Sequence, residues 1–519
     1  MAAACDFFSI MLCRIKTSAI SGISAVSVDV EVEARDSTRE GFTIIGMADA
    51  SLRESRDRVS SALRYSGFEV NPRILVNLSP AELRKEGSSF DLAIALGILH
   101  SSAQIKAVDL EHRAFFGELS LDGKLKPVRG MVALTIEALR AGVKEVVVPV
   151  FNWDEAAIIS GVKVIGLNSL LEVVSYLEGR LDPVRPANGN GSTPCVRTEP
   201  SLLEVGGQAT AKRAMLVAAA GGHNLLMIGP PGCGKSMLAE RFSSLLPSMD
   251  RREILEVARI HSVVGLPIKG FLGGRRPFRN PHYVISEAGL VGGGTIPRPG
   301  EVSLAHHGVL FLDEFPEFNR SAIEALRSPL EKGTVSISRA KGSLVFPASF
   351  QLLAAMNPCP CGRLGAAGLH CQCSRSAIQA YLKKLSQPIL DRIDLQIELE
   401  AVSIREVTES RGGTDLEEQE QRLRDQVAQA HQLSLERSGK KNARLQNKEV
   451  FEHVSLSSSA RRLLEQAASK GALSARSFVR ILKVSRTIAD LEESKDVSDA
   501  HVAEALGLRG LERIERYCG

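Results

Sequence analysis

Apolar and polar residues alternate strictly through VSVDVEVEA, from Val26 to Glu33, and a period of two predicts a strand with one buried face. Shorter apolar runs follow in FTIIGM, RILVNLS, KEVVVPV and VKVIGL, and between them SLRESRDRVSSALRYSG and MVALTIEALRAG carry helical spacing. This mixture predicts an α/β domain over residues 1–181. Pro, Gly, Asn, Ser and Thr crowd residues 182–201, a composition with little capacity to pack, which predicts a linker. From Leu202 the helical GGQATAKRAMLVAAAGG is followed by NLLMIG, GVLFLDE and SFQLLAAMN. Runs apolar on both faces are what a parallel sheet covered by helices on both sides requires, so a second α/β unit is expected over 202–400. Beyond Glu400, DLEEQEQRLRDQVAQAHQL and SARRLLEQAAS are charged and helical in period, and 401–519 reads as a mostly α-helical subdomain.

Composition narrows this picture only in part. A chain of 519 residues exceeds one ordinary core, and 44% hydrophobic with 24% charged residues describes a globular protein. The net charge of +4 is too small to indicate nucleic acid by itself, so that case must rest on local clusters. No apolar stretch reaches membrane-spanning length, which argues against a membrane and for a cytoplasmic location. MAAACDFFSIMLCRIK lacks a basic residue ahead of its apolar run, and either Met1 or Met11 can start the chain. The nine cysteines do not form a disulfide framework.

The stretch GPPGCGKS, comprising Gly229, Pro230, Pro231, Gly232, Cys233, Gly234, Lys235 and Ser236, fits a phosphate loop between the strand NLLMIG and the helix KSMLAERFSSLL. Its glycines let backbone N–H groups and a helix N-terminus face phosphate oxygens. Lys235 would reach the β and γ phosphates of ATP, and the Ser236 hydroxyl would ligate Mg2+. VLFLDEF ends a strand in acid: Asp313 would hold Mg2+ through water and Glu314 would act as base toward the attacking water. LLAAMNP places Asn357 at another strand end, where its amide can orient that water.

In order along the chain, these residues resemble an AAA+ ATPase, with phosphate loop, Asp-Glu pair and first-sensor asparagine. The resemblance implies an arginine acting on the neighbouring subunit's site, Arg392 in LSQPILDRIDLQIEL, and a second-sensor arginine on a helical lid, Arg476 in LSARSFVRILKVSRTIADL. Each could instead form an ordinary surface salt bridge. GLPIKGFLGGRRPFRNPHYVISEAGLVGGG and the hairpin-like GTVSISRAKGSLVFPASF resemble the helix-two insert and presensor hairpin of the magnesium chelatase and MCM branch. With FTIIGMADASLRESRDRVSSALRYSGF, KEGSSFDLAIALGIL, RPFRNPH and NPCPCG, the chain resembles the YifB/ComM family of Mg-chelatase-like ATPases over nearly its whole length. Tyr283 departs from the second histidine expected there, which weakens any metal or catalytic role for His282.

That family resemblance implies a homo-oligomer, a hexameric ring, acting on branched or single-stranded DNA. In ComM-type members it implies branch migration of recombination intermediates during natural transformation. Arg275, Arg276 and Arg279, interleaved with Phe271, Phe278 and Tyr283, could contact phosphates and stack on bases, and Arg339 and Lys341 could line a pore. A solvated basic face over buried aromatics is the alternative. A chelatase-like ATPase remodelling a protein partner is a rival function. The first domain resembles the ribosomal-S5-like fold shared with Lon protease, and EGSSFDL puts Ser89 where the Lon serine falls, which raises a protease as a third reading. Val132 occupies the position of the activating lysine, however, and Lys126 lies nearby in sequence.

CPCGRLGAAGLHCQC, within residues 359–373, sets Cys359, Cys361, Cys371 and Cys373 as two Cys-x-Cys pairs, with His370 adjacent. Four thiolates can close a tetrahedral structural Zn2+ site, although the spacers are tighter than the usual two-residue knuckle. Free reduced cysteines or a redox pair are the alternative. Cys233 is read as a small loop residue whose oxidation could block nucleotide.

Overall fold

The computed structural model describes residues 12–35, 41–46, 50–70, 73–82, 85, 87–105, 109–183, 201–294, 297–339, 342–365, 370–401, 415–469 and 474–509. Both candidate start methionines, nearly all of the expected linker, and Lys341 lie outside them. The chain divides into two compact units, residues 1–195 with 251–273, and residues 196–250 with 274–519. Residues 251–273, which by sequence fall inside the 202–400 region, therefore cluster with the first unit.

In the first unit β1 (Cys13–Ser21), β2 (Ser24–Arg35), β3 (Gly41–Ile45), β4 (Arg73–Ser79), β5 (Arg113–Phe115), β6 (Glu145–Pro149) and β7 (Lys163–Leu167) form one mixed sheet. Its order is β3-β4-β2-β1-β5-β6-β7, with β1, β2 and β4 antiparallel and the outer pairs parallel. The alternation read from Val26 to Glu33 falls on β2: Val28, Val30 and Val32 are fully buried. Burying each such side chain is worth about 1.5–3 kcal/mol. Helices Ala50–Tyr65, Asp91–Ser101 and Leu170–Leu177 contribute to the core on that face. Helix Met131–Arg140 packs on the other face, and helix Arg251–Val264 docks on it with Val132 and Ala258 in one apolar cluster that Ile268, beyond the helix end, completes. Ser262 fixes that docking, its Oγ donating to Glu155 at 2.5 Å and its carbonyl accepting the Gly130 N–H at 2.9 Å.

In the second unit β8 (Leu225–Ile228), β9 (Phe278–Arg279), β10 (Val309–Leu312), β11 (Thr334–Arg339), β12 (Gly342–Pro347), β13 (Gln351–Met356) and β14 (Leu395–Glu398) appear in chain order. Five of them make a wholly parallel sheet, β9-β10-β13-β8-β14, and β11 with β12 forms a separate antiparallel hairpin. Every residue of β8, β10 and β13 is buried, as their unbroken apolar runs require. Helix Ala209–Gly221 is rich in alanine, and its small side chains join Val427 and Ala430 of helix Asp415–Ser438 and Ile481, Leu482 and Ile488 of helix Ala475–Leu491 in one core. The C-terminal helices are thus part of the same hydrophobic body as the sheet. Inside them Asp490 accepts from Arg437 and from the buried Arg486, so the one carboxylate joins two of these C-terminal helices.

Candidate ATP site and a charged cavity at the opposite sheet edge

β8 runs directly into the loop Gly229–Gly234 and the helix Lys235–Phe242. Gly232 and Gly234 take φ of +80° and +93°, a left-handed backbone that favours glycine and turns the loop back over the helix N-terminus. The Lys235 ammonium donates to Gly229 O at 2.7 Å, Pro230 O at 3.0 Å and Asn357 Oδ1 at 3.2 Å. Ser236 Oγ donates to Asp313 Oδ2 at 2.7 Å, and Asp313 Oδ1 accepts the Glu314 N–H at 2.9 Å. Glu314 is exposed at φ +51°, a strained turn for a non-glycine residue that ends β10 abruptly and leaves its carboxylate outside the sheet. Because β13 lies between β10 and β8, Asn357 emerges between the acid pair and the phosphate loop.

These residues fit ATP–Mg2+. A serine hydroxyl beside a carboxylate offers the hard oxygen ligands Mg2+ takes, and a glycine loop with a lysine offers the N–H groups and the cation that phosphates need. The Cys233 thiol is buried beneath the loop, and burial pushes its pKa up, away from the reactive thiolate.

Arg392 and Arg476 do not meet this site. Both line a cavity of about 680 Å3 together with Arg444, Lys448, Arg480 and Lys483, facing Glu331, Asp391 and Asp394. Asn224 precedes β8 and Asp394 precedes β14, so the cavity opens at the N-terminal edge of the parallel strands, whereas the phosphate loop leaves their C-terminal edge. Four residues of strand separate the two edges by roughly 13 Å. Arg392 donates to Glu331 Oε2 at 2.5 Å and Pro388 O at 2.6 Å, while its buried Nε has no partner among the described residues. Arg476 is 74% exposed and 3.6 Å from Asp391.

Sequence reasoning did not find the rest of this cavity. Asp394 accepts from His223 Nδ1 at 3.1 Å and stands 3.6 Å from Arg480, and His223 Nε2 meets Thr487 Oγ1 of helix Ala475–Leu491 at 2.8 Å. Burial acts most strongly on Asp394 and raises its pKa, yet His223, Arg480 and Lys483 together hold it below the usual carboxylate value. Burial pushes Arg444, Arg480 and Lys483 down from their ordinary values. The signals were present: ILDRIDL brackets Arg392 with two acids, and Arg476, Arg480 and Lys483 recur at the four-and-three spacing of one helix face.

The arginines weighed for DNA separate. Arg276 is buried and donates to Pro247 O at 2.6 Å and His307 O at 2.7 Å. Arg279 forms a fork to both Glu301 oxygens at 2.6 and 2.8 Å. Phe271 meets His261 at a tilted 58° within the first unit, Phe278 stacks on Phe311, and Arg275 is exposed. Arg339 ends β11.

Ser89 lies just before helix Asp91–Ser101, and no lysine hydrogen-bonds to it among the described residues. Val132 is fully buried, Lys126 is exposed on a two-residue strand, and the buried Lys85 ammonium is taken up by the carbonyls of Gly46, Leu78 and Pro80.

The four cysteines converge, their sulfurs all within 4.8 Å of one another. Cys359 is buried and Cys361 exposed, and the backbone N–H of Arg363 draws the Cys361 thiol down to about 6.

Three family profiles match: subunit ChlI of Mg-chelatase over residues 30–152, magnesium chelatase subunit ChlI over 201–407, and the magnesium chelatase subunit ChlI C-terminal region over 417–509. The chain is 42% identical over 512 residues to the competence protein ComM of Haemophilus influenzae, covering 97% of this chain and 98% of that one. It is 40% identical over 506 residues to the uncharacterized protein YifB of Salmonella typhimurium, with 97% and 98% covered. To YifB of Escherichia coli it is 39% identical over 503 residues, with 96% and 97% covered. No helix among the described residues is long and apolar enough to cross a membrane. With a phosphate loop, an acid pair and an asparagine joined on one parallel sheet, and with relatives matching end to end, this chain belongs to the YifB/ComM family of Mg-chelatase-like AAA+ ATPases.

Proposed function

We propose that the chain is an ATP-hydrolysing motor that works as a homo-oligomeric ring, a hexamer, on branched or single-stranded DNA in the cytoplasm. The observation that carries this reading is the placement of Arg392 and Arg476 in a cavity at the sheet edge opposite Lys235. A chain with its phosphate loop on one edge and its arginines on the other completes an ATP site only with a second copy, and repetition of that contact closes a ring. One relative is named a competence protein, and a competence role fits the DNA substrate and the branch migration of recombination intermediates proposed here.

In this mechanism Lys235, the loop N–H groups, Ser236 and Asp313 would hold ATP–Mg2+, which supplies the scissile anhydride and the charge that stabilises its cleavage. Asn357 and Glu314 position and deprotonate the attacking water. Arg392 of one protomer neutralises charge developing on the γ-phosphate bound by the next, so turnover requires assembly. The four cysteines fit a structural Zn2+ ion. For DNA, the proposed contacts are Arg339 at the end of β11 and Lys341, which lies outside the described residues, with Arg275 the exposed member of its cluster.

The test is ATP hydrolysis with no DNA, single strands, duplex and a labelled four-way junction, with Lys235→Ala as blank and junction resolution followed in the same reactions. Junction-stimulated hydrolysis with strand exchange that requires Lys235 is expected. Hydrolysis indifferent to every DNA would assign the protein to remodelling of a protein partner, and ATP-dependent casein cleavage abolished by Ser89→Ala would assign it to the proteases.

A further inference from the structure

The cysteine cluster does more in this fold than close a loop. Cys359 Sγ stands 3.4 Å from Cys361 Sγ and 3.7 Å from Cys371 Sγ, and Cys361 is 3.7 Å from Cys371. A tetrahedral thiolate site with metal–sulfur bonds of about 2.3 Å sets its sulfurs about 3.8 Å apart. The backbone alone therefore brings three of the four sulfurs close to the spacing of a zinc-class ion, and the fourth lies within 4.8 Å of them all.

The position of this knuckle in the fold gives it a second consequence. It begins two residues after Asn357, whose amide oxygen accepts from Lys235. Gly362, in its first turn, has φ +73°, and a Cβ built there would come 2.7 Å from Cδ and 2.9 Å from Cγ of Pro231, and 3.8 Å from Cγ of Asn357. Its N–H donates to Cys359 O at 2.9 Å. The backbone just after the second thiol thus lies against Pro231 of the phosphate loop, closer than a side chain would allow, and in van der Waals reach of the Asn357 amide. At the far end Cys373 is followed by Ser374, which caps helix Arg375–Leu382, and Ile378 of that helix packs on the buried Cys359.

We propose that the four cysteines hold a tetrahedral thiolate-bound ion of the zinc class, and that the occupied knuckle is a positioning element for ATP hydrolysis. It presses Gly362 against Pro231 and holds Asn357 against Lys235, so occupancy sets turnover at the phosphate loop. This rests on the reading of Lys235, Asp313 and Glu314 as an ATPase centre. It makes the ion a control point for that centre as well as a structural staple.

The experiment uses the full chain. Zinc is counted by elemental analysis, stripped with a mercurial followed by excess thiol and chelator, and restored with Zn2+. Backbone hydrogen exchange is followed in segments 229–236 and 351–357 beside kcat and KM for ATP. About one ion per chain is expected, since four thiolates close one tetrahedral site. Stripping should speed exchange in both segments and lower kcat about tenfold or more, the scale of losses when groups supporting a site are removed, with Zn2+ reversing both. Gly362→Ala leaves all four thiols in place and keeps the test open if stripped protein precipitates: it should retain the ion yet show the same faster exchange and lower kcat. Fewer than about 0.1 ions per chain, before and after incubation with Zn2+, would overturn the site, because a formed thiolate site holds zinc tightly. An ion whose removal, together with Gly362→Ala, leaves exchange in 229–236 and 351–357 unchanged would overturn the coupling. Hydrolysis that is the same in Lys235→Ala as in the unmodified chain would sink the ATPase reading alone, since ion count and exchange still decide whether the knuckle governs the loop.

Discussion

Mixing two inactive proteins offers a quantitative test of the shared ATP site. Lys235→Ala removes the cation bonded to Gly229 O, Pro230 O and Asn357 Oδ1, and Arg392→Ala removes a guanidinium at the opposite sheet edge. If each site joins the phosphate loop of one protomer to Arg392 of the next, each variant alone should lose about a thousandfold or more in kcat, the usual effect of deleting an arginine finger. Random assembly from equal amounts then pairs an intact loop with an intact arginine at about one interface in four, so the mixture should recover about a quarter of the unmodified activity. The assay is steady-state ATP hydrolysis after dissociation and reassembly at low protein concentration, with ring formation checked by light scattering. A mixture no more active than its components, in rings shown to be mixed, would refute catalysis across the interface. So would Arg392→Ala protein that assembled and hydrolysed ATP normally.

Further consequences follow from individual contacts. Glu314→Gln should retain nucleotide binding by equilibrium titration while kcat falls about 10²–10⁴-fold, the range for loss of a general base. Asp394→Ala leaves Arg480 and His223 without their carboxylate, and removing one partner of a buried pair costs about 3–5 kcal/mol; its thermal transition should drop, with exchange rising first in 475–491. Arg276→Ala deletes two hydrogen bonds from a buried cation to carbonyls and should destabilise the second unit by about 2 kcal/mol or more. Its DNA affinity at equal folded fraction should match that of the unmodified chain, whereas a selective loss of DNA binding with an unchanged melting temperature would return Arg276 to the interface.

The sequence was most legible where a local pattern carries the structure. Strict alternation marked β2 because only one register buries Val28, Val30 and Val32, and the glycine spacing of the phosphate loop follows from the left-handed turns at Gly232 and Gly234. Helix Asp91–Ser101 was not read as a helix: nearly all its residues are buried, so it has no polar face to generate a period. β1 was obscured for a related reason, since CRIKTSAIS buries Thr17 and Ser18 among its apolar residues. The roles of Arg276 and Arg279 were illegible because a basic cluster in sequence says nothing about which guanidinium finds a carbonyl or carboxylate inside the fold. The partners of Asp394 lie at positions 223, 480 and 483, and no local pattern connects them.

Those long-range contacts also tie the C-terminal helix Ala475–Leu491 to the Arg392 turn. Asp391 and Asp394 flank Arg392, and each faces an arginine of that helix, Arg476 and Arg480 respectively. Asn224, at the foot of β8, donates to Arg392 O at 2.8 Å and also accepts the Leu352 N–H at the foot of the asparagine strand β13. In the proposed mechanism a shift of that helix would act first on the two acids that bracket Arg392, and through Asn224 on the two strands that end in Lys235's loop and Asn357. If the proposed ring forms, an ATP site completed by a neighbour's Arg392 would be exposed to that neighbour's own C-terminal helices, and through its β8 and β13 to that neighbour's own phosphate loop, which is the connection sequential firing around a ring requires.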